Sequence, residues 1–268
     1  MNMFSFVSVP RDIPTIGPET IVSIGRFPIT NSFLMSVLIV VLLFVLARAI
    51  FRRRDMVPMR FQNTAEALYE GMYGLVEQVS GGSSKTAWRI FPIVGALFVY
   101  IGISNLIGLI PGITEIQYEG TPLFRPPTTD FNVTVGLALS MVILIQIESV
   151  RRAGIFGHLG QYFQFRQVWQ GFRRGLGEGF TAIIGFMIGL LDIISEFAKV
   201  ISLSLRLFGN MYAGVVLATV ILGAIAVLLP SVWLGLSLLF ALVQAIVFGS
   251  LVAAYYAIAL QSEGGEET

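Results

Sequence analysis

Five long apolar runs constrain this chain more than any other feature. A hydrocarbon layer about 30 Å thick is crossed by about 20 residues of helix. Runs of that size lie at about residues 33–50, 90–110, 131–147, 183–229 and 232–260. The pattern predicts an all-α membrane protein with five membrane-crossing helices. Composition agrees: 55% of residues are hydrophobic, 12% are charged, and mean hydropathy is +0.81. So few charges cannot cover a water-facing surface, and lipid must take the place of water around much of the chain.

The expected layout is an external N-terminal segment, 1–28, followed by a single transmembrane domain, 29–268. Pro10, Arg11, Pro14 and Pro18 precede the first apolar run, which is not the layout of a cleaved signal peptide. Between the first two runs, at 59–79, Phe61, Ala65, Leu68, Met72, Leu75, Val76 and Val79 recur at three- and four-residue steps. That spacing predicts an amphipathic helix along the membrane interface. Residues 113–130 hold Pro122, Pro126 and Pro127 and are expected to form an irregular external connection.

Twelve basic residues flank the first and third connections: Arg48, Arg52, Arg53, Arg54, Arg60, Lys85 and Arg89, then Arg151, Arg152, Arg166, Arg173 and Arg174. Only Arg11, Arg26 and Arg125 fall on the opposite side. The positive-inside rule then places the N-terminus outside and the C-terminus inside. The near-zero net charge gives no sign of a nucleic-acid partner. Cysteine is absent and His158 is the only histidine, which leaves no metal site to expect, and His158 in its basic loop is read as a solvated residue.

The fourth run is too long for an upright crossing: about 47 residues at 1.5 Å each give roughly 70 Å. With the fifth it predicts a long, strongly tilted hairpin turning near Pro230. Asp192, Glu196, Lys199 and Arg206 lie inside that fourth run, where each would cost about 2.5–3.5 kcal/mol at the bilayer centre. At 100° per residue from Arg206, Asp192 and Asn210 fall at about +40°, Glu196 at about +80°, Lys199 at about +20° and Ser202 at about −40°. One face therefore carries all six polar groups. Asp192, Glu196 and Lys199 can alternatively form a structural network that anchors the helix, the less favoured of the two readings. Arg206 has no charged residue after it until Glu263, so its mate is expected on another chain. Gly209 and Ala213 flank it at about −60° and −20° and lower the surface for a neighbouring helix. In the fifth run, Ser237 and Gln244 share a face, and Gln244 also suits an ordinary interhelical hydrogen bond.

The run Lys199-Val-Ile-Ser-Leu-Ser-Leu-Arg206-Leu-Phe-Gly-Asn-Met-Tyr-Ala-Gly214 resembles the signature of subunit a of bacterial F-type ATP synthases. Asn105-Leu-Ile-Gly-Leu-Ile-Pro111 and Thr129-Asp-Phe-Asn-Val-Thr134 resemble that family's second and third spans. The resemblance implies a non-catalytic, ion-conducting stator subunit in a bacterial plasma membrane, forming two offset half-channels and needing no cofactor. It implies as partners the c-ring of the rotor, b-type peripheral stalk subunits, membrane lipid and a transported proton or sodium ion. Arg206 matches the family's essential arginine, Asn210 and Ser202 its polar neighbours, Gln244 the glutamine facing it, and Asp192 an acidic position toward the cytoplasmic exit. Leu203 and Leu207 are then expected within reach of the ring.

One departure stands out. Where the family carries titratable residues, directly after Ala-Gly and seven positions before the glutamine, this chain has Val215 and Ser237. An external proton path is left with water and neutral groups or with acids elsewhere such as Asp130, unless the ion is not a proton. A secondary transporter binding an anionic solute at Arg206 is the competing reading, though the sequence has no evident internal repeat. A structural scaffold leaves Arg206 unexplained.

Overall fold

The computed structural model describes residues 15, 17–52, 60–110, 112–113, 116–118, 120–224 and 228–263. Residues 1–14 of the expected external segment, with Arg53 and Arg54 of the first basic connection, lie outside them. Strands β1 (Thr20–Ile24) and β2 (Phe27–Thr30) pair around Gly25 and lead into helix α1 (Asn31–Arg52). Helices α2 (Arg60–Val79), α3 (Ser84–Gly108), α4 (Phe131–Tyr162), α5 (Phe165–Arg174), α6 (Leu176–Ala224) and α7 (Leu228–Glu263) follow. Five of these are long and apolar enough to cross a membrane, at Asn31–Ile50, Ser84–Gly108, Phe131–Arg152, Gly177–Val220 and Val232–Ala259. The five expected crossings are all present.

Local chemistry sets the breaks. Gly81 and Gly82 take positive φ after α2, a conformation that glycine alone adopts without strain. Ser83 then caps α3, its side chain accepting from the Thr86 N–H. The 113–130 connection, expected to be irregular, contains a small hairpin of β3 (Gln117–Tyr118) and β4 (Thr121–Pro122) turning at Gly120, and a 3-10 turn at Pro127–Thr129. Helix α6 ends at Ala224 and α7 starts at Leu228, and the residues between them, where the expected turn near Pro230 would fall, lie outside those described; Pro230 itself sits in the first turn of α7, where a missing N–H breaks no helical bond.

The described chain divides into two compact units: one up to Thr134 together with Leu205–Ala253, the other Val135–Ser204 together with the chain after Ala253. In the first, α3 packs on α1 and α2. The amphipathic helix meets it with the expected stripe: Val76 is buried and Ala65, Met72, Leu75 and Val79 are half-buried, while Leu68 at the edge of the stripe is exposed. Tyr69 and Tyr73 widen that face by setting their rings against Phe91. Small residues serve α7 similarly. A side chain at Gly249 would come within 2.6 Å of the buried Phe98 ring, and Gly102 lies against Ala245.

In the second unit, His158 departs from expectation. The basic region after the third span is helical rather than a solvated loop, interrupted at Gly154 (φ 72, ψ 161). His158 is buried there, with its Nδ1 3.0 Å from the Ser149 hydroxyl and its ring edge-on to Tyr162. Helix α5 folds back on the start of α6: a Cβ at Gly171 would lie 2.8 Å from the Glu178 carbonyl oxygen, and one at Gly179 2.8 Å from the Phe172 ring.

Gly249→Val should displace Phe98 and lower stability by about 1–3 kcal/mol, an overpacking cost. Gly209→Val, where nothing lies within 4 Å, should leave it unchanged. Denaturant unfolding of the two variants in detergent micelles compares them, and equal midpoints would remove the packing role of Gly249.

Candidate ion-translocation site

The rotation of α6 in the first unit is fixed from its inner side. Phe208 stacks on Tyr212 and meets Phe131 edge-on, at centroid separations of 5.2 and 5.5 Å. Leu207 and Met211 are buried beside them. These four occupy one arc of about 140°, and the opposite arc at 100° per residue carries Leu205, Arg206, Gly209 and Ala213. All four are exposed, and a Cβ at Gly209 would meet nothing within 4 Å. No hydrogen bond or ion pair reaches Arg206 from the described residues. Leu203 and Leu207, expected near a partner, are instead buried, Leu207 in the inward arc with Met211 and Leu203 about 40° beyond its edge.

Asn210 lies at the edge of the outward arc and joins α6 to α7, its Nδ2 donating to Gln244 Oε1 at 3.3 Å. Gln244 is 5% exposed, and its Nε2 has no partner among the described residues. One turn away on α7, the Ala241 carbonyl accepts from Asn105 Nδ2 at 3.3 Å, leaving Asn105 Oδ1 without a partner among the same residues. Ser104 and Thr128 add two more buried hydroxyls without partners among the described residues. A buried polar atom left without a partner costs about 1–3 kcal/mol. Asn105 carried no assigned role in the sequence reading. Its signal was an amide within an apolar run.

The acidic part of the polar face belongs to the second unit. Lys199 Nζ lies 2.5 Å from Glu196 Oε1 and 5.2 Å from the centre of the Tyr255 ring. That pair is the structural arrangement weighed from sequence, completed by an aromatic ring that sequence spacing did not reveal. Asp192 and Ser202 take no part in it. Both are exposed, without a hydrogen bond or ion pair among the described residues.

Asp130 is 2% exposed and has three polar neighbours in the first unit. Its Oδ2 accepts from the Ser32 hydroxyl at 2.5 Å, and its Oδ1 accepts from the Asn132 N–H at 2.9 Å, capping α4. Its charge also faces Arg125. Arg125 donates to the carbonyls of Thr15, Gly17 and Thr129 and so ties the chain before β1 to this connection. Burial pushes the Arg125 guanidinium below its ordinary value, while Asp130, Glu19 and Tyr212 act in the opposite sense. An acid so engaged supports the structure around it.

A helical chain with five candidate spans, carrying an exposed arginine and a part-buried amide pair within them, is of the class of multi-pass membrane proteins. The comparisons with known proteins give the particular family. Residues 33–257 match the family described as ATP synthase A chain. The chain is 31% identical to ATP synthase subunit a of Moorella thermoacetica over 90% of its length and 96% of the relative's. It is also 31% identical to the sodium ion specific subunit a of Propionigenium modestum, over 85% and 73%. With ATP synthase subunit a 1 of Hahella chejuensis it shares 30% identity over 89% and 87%. The chain therefore belongs to the ATP synthase A chain family, the non-catalytic, ion-conducting membrane subunits of the Fo sector.

Asp130→Ala should cost about 2–4 kcal/mol, from a lost helix cap of about 1 and a lost hydrogen bond to a charged acceptor of about 1.5–3. Asp130→Asn, which keeps an acceptor at the cap, should cost less. Hydrogen exchange at the start of α4 reads the difference, and an unchanged Ala variant would take Asp130 out of the structural role.

Proposed function

We propose that Arg206 is the point at which this stator subunit meets a rotating ring of c subunits and separates two offset half-channels, one open to each side of the membrane. The observation that carries the reading is an exposed guanidinium, unpaired among the described residues, on an apolar stretch of helix beside the open surface at Gly209 and Ala213. A charge in that setting needs an anion, and a ring carboxylate arriving from lipid supplies one.

The carboxylate crosses lipid only when neutralised by its ion and is favoured as the anion while it faces Arg206. It therefore releases its ion on one side and reloads on the other. An arginine side chain holds its proton throughout the physiological range and cannot relay it, so the site attracts the carboxylate and blocks a direct leak. The membrane potential supplies about 2.3 kcal/mol per charge per 100 mV to turn the ring.

The other residues take roles around that step. The Asn210–Gln244 pair holds the α6–α7 contact beside Arg206. The unpartnered polar atoms of Gln244, Asn105, Ser104 and Thr128 suit ordered water, which supports an aqueous external path that needs no titratable group at Val215 or Ser237. Asp192 and Ser202 belong to the cytoplasmic path, where Asp192 is an unengaged acid. Glu196 and Lys199 neutralise one another and set the local field. The N-terminus lies outside and the C-terminus in the cytoplasm, with b-type subunits of the peripheral stalk holding the chain against the torque. The length of α6 and α7 supports a strong tilt of the pair across the bilayer.

Reconstituted ATP synthase carrying Arg206→Ala should lose coupled ATP synthesis on the order of 100-fold, matching roughly 3 kcal/mol of lost charge pairing. Arg206→Lys should lose most of it as well, because a lysine can give up its proton and lacks the planar fork. Normal synthesis in an assembled Arg206→Ala complex would overturn the assignment. Asp192→Asn should slow ATP-driven ion pumping while leaving assembly intact, and unchanged pumping would make Asp192 a bystander.

A further inference from the structure

The stretch between the third and fourth spans combines two properties that the ion-handling role does not use. From Arg151 to Gly177 the sequence has five arginines and no acidic residue. The same stretch leaves large apolar side chains uncovered: Phe156 is 91% exposed, Trp169 66% and Phe172 52%. Both ends are tethered to candidate spans, Phe131–Arg152 and Gly177–Val220. Gly154 and Gly175, at φ 72 and 155, break the helices at the two borders.

Helix α5 reads Phe165-Arg-Gln-Val-Trp-Gln-Gly-Phe-Arg-Arg174. At 100° per residue, positions 165, 168, 169 and 172 fall in one apolar arc, and positions 166, 167, 170, 173 and 174 in a polar one. The Arg173 guanidinium lies 5.4 Å from the centre of the Trp169 ring, so cation and indole meet at the border of the two arcs. The packing of Gly171 and Gly179 holds this helix to the start of α6, so the position of α5 follows that of a span.

We propose that the segment from Ile155 to Arg174 is a docking surface for anionic phospholipid, with Trp169 and Phe172 entering the acyl boundary and Arg173, with Arg151 nearby in the chain, holding headgroup phosphate. Three observations favour lipid over a protein partner. The segment is bounded on both sides by spans, its apolar side chains include the tryptophan typical of membrane interfaces, and its charge is of one sign along its whole length. Arg152 is paired with Glu148 at 3.4 Å, and an uncharged bilayer surface would satisfy the apolar arc but leave Arg151 and Arg173 without an anion among the described residues.

Photo-cross-linking in the intact ATP synthase tests this. Proteoliposomes of phosphatidylcholine contain a diazirine-bearing probe lipid, either phosphatidylglycerol or phosphatidylcholine, and labelled peptides are located by mass spectrometry. The phosphatidylglycerol probe should label 155–174 several-fold more than the phosphatidylcholine probe. Arg173→Gln should reduce that preference by about fivefold, the weight of one basic residue at an anionic surface. Arg151→Gln, at an exposed position, should do the same and stands in if the first variant does not assemble. Equal labelling by both probes would overturn the headgroup selection. Absence of labelling by either would show that a protein covers the surface. Labelling requires no ion flux, so its failure is separable from any failure of the role given to Arg206.

Discussion

A polar group placed in hydrocarbon must find a partner, and the organisation of this chain follows from how each group meets that demand. Backbone polarity is satisfied inside helices, which is why the apolar runs fold as they do. The Glu196 and Lys199 side chains satisfy each other, and Asp130 is satisfied by Ser32, by the α4 cap and by the charge of Arg125. Arg206, the one charged residue of α6 in the first unit, has no such arrangement among the described residues, and it lies on the open side of the helix. The unmet charge is the reason to look for a second chain.

Holding that charge outward requires the helix to be anchored behind it. Phe208 and Tyr212 provide an aromatic anchor against Phe131, and Leu207 and Met211 fill the inner side. Helix α7 is kept close to α3 by Gly249 beneath Phe98 and by the Asn105 bond to the Ala241 carbonyl. Gln244 is thereby fixed where it receives Asn210. Side chains that never touch the ion thus decide the direction in which Arg206 points.

Much of this was legible in the sequence. Hydropathy gave five spans within a few residues at most borders, because burying twenty apolar residues in lipid overrides weaker local preferences. The exposed setting of Arg206 and Gly209 followed from helical periodicity. Other features depended on tertiary contacts that periodicity cannot express. Tyr69 and Tyr73, outside the stripe that periodicity marks on α2, meet Phe91 and widen the contact with α3, while Leu68 at the edge of the stripe is left exposed. His158 looked solvated because its neighbours in sequence are glycines and arginines, yet the break at Gly154 brings it to Ser149. Leu203 and Leu207 are near Arg206 in sequence, which suggests a place beside the ring, although both are buried.

The central claim is that the exposed arc around Arg206 faces a rotor, and cysteine cross-linking tests it most directly because the chain contains no cysteine of its own. One cysteine is introduced at Leu205, which is exposed, or at the buried Leu207, and the other beside the ring carboxylate of subunit c. The account predicts a cross-link from position 205 that stops ATP-driven ion pumping until it is reduced, and none from position 207. An intact, pumping complex that gives no cross-link from position 205 would contradict it.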